Sequence, residues 1–383
     1  MANIYDYIMW RGDLSFLERP FNDVDNVILS TLAYLDFKDI VPNDDKSDGV
    51  SLASACERLL EEANGDIEPY VRSLAKIEIA FVKLLAGSAR FRDARLSFYE
   101  NVVDDARSLQ FSALQVDLPN SETYVAFRGT DNTLVGWREN FMLSFTITEA
   151  QREAARYLER AVLRAERAGR KVLVGGHSKG GVLAEYASLV CAEQYRDAIK
   201  GVYSNDGPRM APEVLARERH ETLNDVFRHI VPTYSIVGMM FCDASEPKTI
   251  VKSDESGIEQ HDPTTWQVLP DGLLTADALQ EDCMTINRAI ASWVSDISFE
   301  ERERVTNEIF DALEAGGATT MREIVASAES FQQVLRAITS MDESTRDIVL
   351  KLVQDTISSS VDAVRKSALK AIDSSRRLLR GEG

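Results

Sequence analysis

Positive charge is in short supply in this chain: 43 Lys and Arg face 62 Asp and Glu, a net charge of −19. Phosphate recognition needs concentrated cations, so nucleic acid is excluded as a partner, and so is simple electrostatic docking on anionic lipid. Cysteine is equally sparse. Cys56, Cys191, Cys242 and Cys283 lie far apart and form no C-x-x-C pair. That spacing excludes a disulfide framework and a zinc site, and it leads us to expect reduced thiols in a cytoplasmic protein without metal or cofactor. No apolar run approaches the roughly 18–20 residues of a membrane span. Residues 1–6 lack a basic segment followed by an apolar one, so no secretory leader and no transmembrane segment are expected.

Against these absences, 44% of the residues are hydrophobic, enough to bury a sizeable core. Residues 1–93 read as mainly helical, with one helix led by residues 23–29 and another over 52–63 that Gly65 can end. The texture then changes to strand-like runs at 96–103, 109–118 and 123–127. An amphipathic helix follows, with Ala154, Leu158, Ala161, Val162 and Ala165 on one face and Gly169 at its end. Further strands are expected at 171–174, 201–204 and 229–231, with a helix carrying Val182, Leu183, Tyr186, Leu189 and Val190 inward. Strands alternating with helices imply an α/β fold: a mostly parallel sheet with helices on both faces. We therefore expect an α/β-hydrolase domain over 1–272 and a helical annex over 273–383. In the annex Ser298 with Glu301, and Thr320 with Glu323, have capping-box spacing, and Lys and Arg gather over 365–380.

The chemistry centres on Gly176-His177-Ser178-Lys179-Gly180, which fits G-x-S-x-G between a short buried strand and an amphipathic helix. A nucleophilic hydroxyl must project above the sheet, so the chain turns sharply, and strand and helix then approach so closely that the flanking positions must be glycine. The helix N-terminus adds backbone donors beside the attacked carbonyl. A phosphate-binding loop is not supported, because no G-x-x-x-x-G-K-[ST] occurs. A second oxyanion amide is expected where Val125-Ala126-Phe127 breaks into Arg128-Gly129-Thr130-Asp131, so Thr130 and Lys179 are the candidate oxyanion donors.

Four histidines make the search for a base short. His177 lies within the elbow and points away from Ser178, His220 sits in a charged stretch, and His229 begins a buried strand. His261 lies in a late loop, where Ser…Asp…His order puts the base. For the acid, Asp206 ends the strand after the elbow helix and so shares a sheet edge with Ser178; an Asx-turn with Gly207 and Pro208 is its alternative role. Asp243 is the runner-up, within residues 242–245, which read as a hairpin tip leading to Ile250 and Val251. Asp262 adjoins His261 and is not expected to face its ring. Met239, Met240 and Phe241 are read as core, with an acyl pocket as the alternative.

Tyr124-Val125-Ala126-Phe127-Arg128-Gly129-Thr130, Trp137 and the Gly-His-Ser-Lys-Gly-Gly elbow together resemble the fungal-type (class three) triacylglycerol lipases. The lysine after the serine is similar to a bacterial branch of lipase-like α/β-hydrolases, as are Asn3-Ile4-Tyr5-Asp6-Tyr7, Trp10-Arg11-Gly12-Asp13, Pro20-Phe21-Asn22, Ser204-Asn205-Asp206-Gly207-Pro208, Ser235-Ile236-Val237-Gly238 and Gln260-His261-Asp262-Pro263-Thr264-Thr265-Trp266. The resemblance implies an α/β-hydrolase fold, Ser178 as nucleophile, His261 as base, and Thr130 with Lys179 as oxyanion donors. One departure stands out. Those lipases carry their acid in an Asp-x-Val-Pro segment after the strand corresponding to 228–233, and here Tyr234-Ser235-Ile236-Val237 occupies that place. The function expected is hydrolysis of a small-molecule acyl ester, lipid esters included, through Ser178, His261 and Asp206. The alternatives are a non-catalytic binding or scaffold protein with a degenerate triad, and a peptidase or thioesterase.

Overall fold

The structure is a computed structural model that describes residues 1–44, 47–73, 75–104, 109–130, 138–139, 142–143, 146–211, 214, 223, 225–243, 245–281, 283–284, 287, 298–317, 333–334, 336–337 and 341. His220, Trp137, Asp131, Thr320, Glu323 and the basic stretch 365–380 lie outside the described residues. The chain forms two compact units, one of residues 1–131 and 143–289 and the other of residues 132–142 and 290–383.

The larger unit is built on an eight-stranded sheet: β1 (Val50–Ser51), β2 (Arg95–Asp104), β3 (Leu109–Asp117), β4 (Glu122–Phe127), β5 (Lys171–His177), β6 (Ile199–Asn205), β7 (Phe227–Pro232) and β8 (Thr249–Val251). They are ordered as in sequence. The first three junctions are antiparallel and the last four parallel. The fold is an α/β-hydrolase fold. Every residue of β4, and every residue of β5 after Lys171, is buried, because helices cover both faces of a parallel sheet. That is why 172–174 reads as an unbroken apolar run rather than an alternation. The segment between β7 and β8 is a crossover rather than the expected hairpin, since the two strands pair in parallel. Met239, Met240 and Phe241 on that crossover are half-buried and not part of the core.

The N-terminal helices are α1 (Ile4–Arg11), α2 (Asp23–Leu32), α3 (Leu52–Ala63) and α4 (Ile79–Gly87). Asn22 caps α2 in a capping box with Asp25. Asp25 also meets Arg90 at 2.7 and 2.6 Å, and both side chains are 0% exposed. Arg90 further donates to the carbonyls of Leu14 and Arg19, so one guanidinium gathers the loop between α1 and α2.

The amphipathic helix α5 (Glu149–Arg167) starts from a Thr148–Gln151 capping box and buries Ala154, Leu158, Ala161, Val162 and Ala165, the face read from the sequence. Tyr157 of α5 stacks on Phe98 at 4.1 Å and donates to its carbonyl at 2.6 Å, where β2 bulges and Phe98 takes a φ of 51°. Next come α6 (Lys179–Val190) and the short α7 (Glu193–Arg196). Within the smaller unit, α8 (Phe299–Glu314) begins with the Ser298–Glu301 capping box, and Arg138 pairs with Asp311 and Glu314. Among the described residues no helix is long and apolar enough to cross a membrane.

Candidate active site

The parallel strands β4, β5, β6 and β7 end side by side, and the register places the candidate residues along that edge. Phe127 pairs with Gly176, Gly176 with Ser204, His177 with Asn205, and Asn205 with Ile230. Ser178 and Asp206 therefore follow directly on two paired residues of neighbouring strands, which run about 4.8 Å apart.

Ser178 links β5 to α6 with a φ of 57° and ψ of −126°, a left-handed conformation that costs a non-glycine residue on the order of 1–3 kcal/mol. The close approach around it explains the glycines. A Cβ on Gly176 would lie 2.3 Å from the carbonyl carbon of Gly180, and one on Gly180 would lie 2.2 Å from the Phe127 oxygen. Both obstacles are backbone and cannot swing aside. The same closeness brings the end of β4 against the elbow, where Thr130 is 5% exposed. Lys179 opens α6, and its buried ammonium donates to the Gln110 carbonyl at 2.7 Å on β3. Among the described residues the Ser178 hydroxyl makes no hydrogen bond; such contacts commonly tighten only when substrate binds.

Strand alternation sends Gly176 toward α6 and Gly175 toward α2. On the α2 side, Asn26 and Ser30 hold Asn205: its amide nitrogen donates to Ser30 Oγ at 2.9 Å and to the Gly176 carbonyl at 3.2 Å, while Asn26 donates to Asn205 Oδ1 at 2.8 Å. This buried polar patch rivets β5 to β6 directly beneath Ser178 and Asp206.

Asp206 is 1% exposed and has a φ of 48°. Its Oδ2 meets His261 Nδ1 at 2.6 Å, and its Oδ1 accepts from Ser235 Oγ at 2.5 Å and Gly238 N–H at 3.2 Å. Ser235 is itself held: its N–H donates to Cys283 Sγ at 3.2 Å, and its carbonyl accepts from Asn287 at 2.9 Å. The turn after β7 thus supplies donors to a carboxylate at the end of the neighbouring strand β6.

His261 ends a short 3-10 turn (Gly257–His261) whose neighbours are all anchored. Gln260 Oε1 accepts from Thr233 Oγ1 and Tyr234 N–H, both at 2.9 Å. The Gln260 carbonyl accepts from Trp266 Nε1 at 2.8 Å, and Asp262 accepts from the Lys76 N–H at 2.8 Å. The Asp262 carboxylate also accepts from the Thr264 N–H and Oγ1. The ring lies against that of His177, with centroids 4.5 Å apart, and so beside the residue preceding Ser178.

Other candidates lie elsewhere. Asp243 is exposed and ties up its carboxylate on Ser245 N–H and Oγ. His229 is buried in β7, where its Nε2–H donates to the Gly207 carbonyl at 3.2 Å; burial pushes its pKa down to about 3. The sequence reading missed Tyr34, Ser235 and the Asn26–Ser30 patch. A signal for the last was present: Asn26, Ser30 and Tyr34 recur every four residues along an otherwise apolar helical stretch.

Among solved structures, the chain is similar to a Rhizomucor miehei lipase–propeptide complex (16% identity over 58% of this chain and 72% of that one, TM-score 0.34). It is also similar to lipase II from Rhizopus niveus (15%, 65% and 89%, 0.35) and to the Lip2 lipase of Yarrowia lipolytica (11%, 65% and 93%, 0.35). At such identities and scores these likenesses lend this chain no activity. No curated protein matches it. Residues 85–311, more than half of the chain and the stretch that holds the elbow, Asp206 and His261, match the Mbeg1-like family, and the protein belongs to that family.

Proposed function

We propose that the protein is a serine hydrolase that cleaves a carboxylic ester through an acyl-enzyme, with Ser178 as nucleophile, His261 as base and Asp206 as acid. The observation that carries this reading is the 2.6 Å contact of His261 Nδ1 with Asp206, at the strand edge where Ser178 sits in a strained turn. A serine hydroxyl is a weak nucleophile until an oriented base removes its proton. The carboxylate accepts from Nδ1–H, which leaves Nε2 as the bare nitrogen available for that proton.

In the proposed reaction the Ser178 oxygen attacks the ester carbonyl carbon while its proton passes to His261. The backbone amides of Thr130 and Lys179 receive the negative oxygen. Collapse of this intermediate expels the alcohol, which takes the proton from His261. Water, deprotonated by the same ring, then releases the acid and restores Ser178. Asp206 stabilises the imidazolium in both halves.

A fluorophosphonate probe tests the assignment. Wild type is expected to be labelled covalently and Ser178→Ala not at all. A folded wild type that resists the probe and leaves a panel of 4-nitrophenyl esters intact points instead to a non-catalytic binding protein on this fold.

A further inference from the structure

His177, immediately before the nucleophile, has no part in the chemistry above, yet both its ring nitrogens are engaged. It is 3% exposed, with Nε2 2.7 Å from the His261 carbonyl oxygen and Nδ1 2.8 Å from the Tyr34 hydroxyl oxygen. A carbonyl oxygen can only accept, so the hydrogen resides on Nε2. Burial, reinforced by the neighbouring His261, holds the His177 pKa well below the ordinary histidine value, and the ring is neutral. A neutral imidazole carries one N–H, so Nδ1 is bare and accepts from the Tyr34 O–H.

Tyr34 reaches one step further. Its hydroxyl also packs against Gly129, the residue before Thr130. Glycine is required there, because a Cβ would lie 2.0 Å from the Tyr34 oxygen and 2.6 Å from the His177 carbonyl oxygen. A directed chain of donors thus runs from Tyr34 O–H to His177 and from His177 Nε2–H to the carbonyl of His261, with the Tyr34 oxygen packed against Gly129. It crosses the elbow and joins the turn proposed to bind the oxyanion to the loop that carries the proposed base.

His261 is therefore held from two sides. Asp206 fixes the rotation of its ring, and His177 fixes the distance of its backbone from the elbow. With the first contact alone, the turn could pivot about the carboxylate and carry Nε2 away from Ser178. We propose that Tyr34 and His177 are positioning residues, a neutral relay that sets the His261 loop and the oxyanion turn at a common distance from Ser178. The proposal rests on the serine-hydrolase reading of the same site, and it gives His177 a fixed tautomer and no proton to transfer.

The test uses the full chain, 4-nitrophenyl butyrate and the fluorophosphonate probe. A displacement of about 1 Å costs on the order of 100-fold in rate, so His177→Leu is expected to lower kcat by about that factor with KM within about twofold. His177→Gln restores a donor at the Nε2 position and is expected to recover about tenfold of that loss. Tyr34→Phe should lose about tenfold, again in kcat. A second readout does not need catalysis: the downfield proton resonance of His261 Nδ1–H, assigned by its loss in His261→Gln, should shift or broaden in His177→Leu. The proposal is overturned if His177→Leu keeps wild-type kcat, if the loss lies in KM alone, or if folded Gln and Leu variants are equally impaired. Should His177→Leu fail to fold, the kcat of Tyr34→Phe and the Gln variant decide, and wild-type values in both overturn it. If wild type neither reacts with the probe nor cleaves the ester, the hydrolase reading has failed on its own. The resonance then judges the relay, and an unchanged signal in His177→Leu overturns it.

Discussion

Two buried carboxylates, Asp25 and Asp206, show how one device serves different ends. Each is sealed from solvent and each faces a nitrogen base at close range. Asp25 meets Arg90, and neither side chain has any exposure; Asp206 meets His261, whose side chain keeps 15%. A guanidinium holds its protons at every physiological pH, so the Asp25 pair can only hold structure. An imidazole takes and gives a proton in that range, and one that touches solvent can pass it on. Burial pushes the Asp25 carboxyl upward and the two Arg90 hydrogen bonds pull it back. In the reaction proposed above, the chemistry follows the partner and its access, not the burial of the carboxylate.

The comparison breaks if the Asp206 pair turns out to be structural as well. Asp206→Asn keeps the shape and removes the acceptor that orients His261, so kcat for ester cleavage is expected to fall by about 10⁴ while the unfolding midpoint moves little. A kcat within about tenfold of wild type would place the acid elsewhere. On the other side, Arg90→Ala leaves Asp25 buried without its counter-charge, and urea unfolding is expected to show a loss of about 3–5 kcal/mol. The kcat of the folded fraction should not change. An Arg90→Met, Asp25→Leu double substitution sharpens the contrast, because removing both charges should cost less than removing one.

The smallest expected effect separates His261 from a histidine that is merely buried. The folded His229 has a pKa of about 3 against an ordinary 6.5, with burial as the main cause and the positive charges of Arg209 and Lys248 acting in the same direction. The folded state refuses a proton that the unfolded chain takes up. Its contribution is therefore complete above pH 6.5 and drains as the pH falls from 6.5 toward about 3. His229→Gln keeps a donor for the Gly207 carbonyl and loses the titration. Its stability should fall less steeply than wild type between about pH 6 and 4, by up to about 1.4 kcal/mol per pH unit. Parallel urea-midpoint curves for the two proteins would refute the assignment.

The strand-to-helix turn was legible because its requirements are local. Gly176 and Gly180 must be small, a buried strand must precede them and a helix must follow, and all of this lies within one contiguous stretch. The amphipathic face of α5 was legible for the same reason. The supports of Asp206 were not. Ser235 and Gly238 reach it across a strand junction, and Cys283 and Asn287 hold Ser235 from still further along the chain, so no spacing in the sequence marks them. The segment between β7 and β8 misled because a polar turn before a β-branched run looks the same in a hairpin and in a parallel crossover. His177 reads from the sequence as pointing away from Ser178, but neither the four-residue spacing of Tyr34 from Ser30 nor anything else along the chain marks Tyr34 and a backbone carbonyl as the partners of its ring.

The 2.5 Å contact between Ser235 and Asp206 has a further consequence. It marks the place where a side chain from the turn after β7 meets one from the end of β6, on the carboxylate that His261 Nδ1 also meets. The turn after β7 and the end of β6 are thereby joined through one carboxylate, and a side chain changed at position 235 is felt at His261 only by way of Asp206.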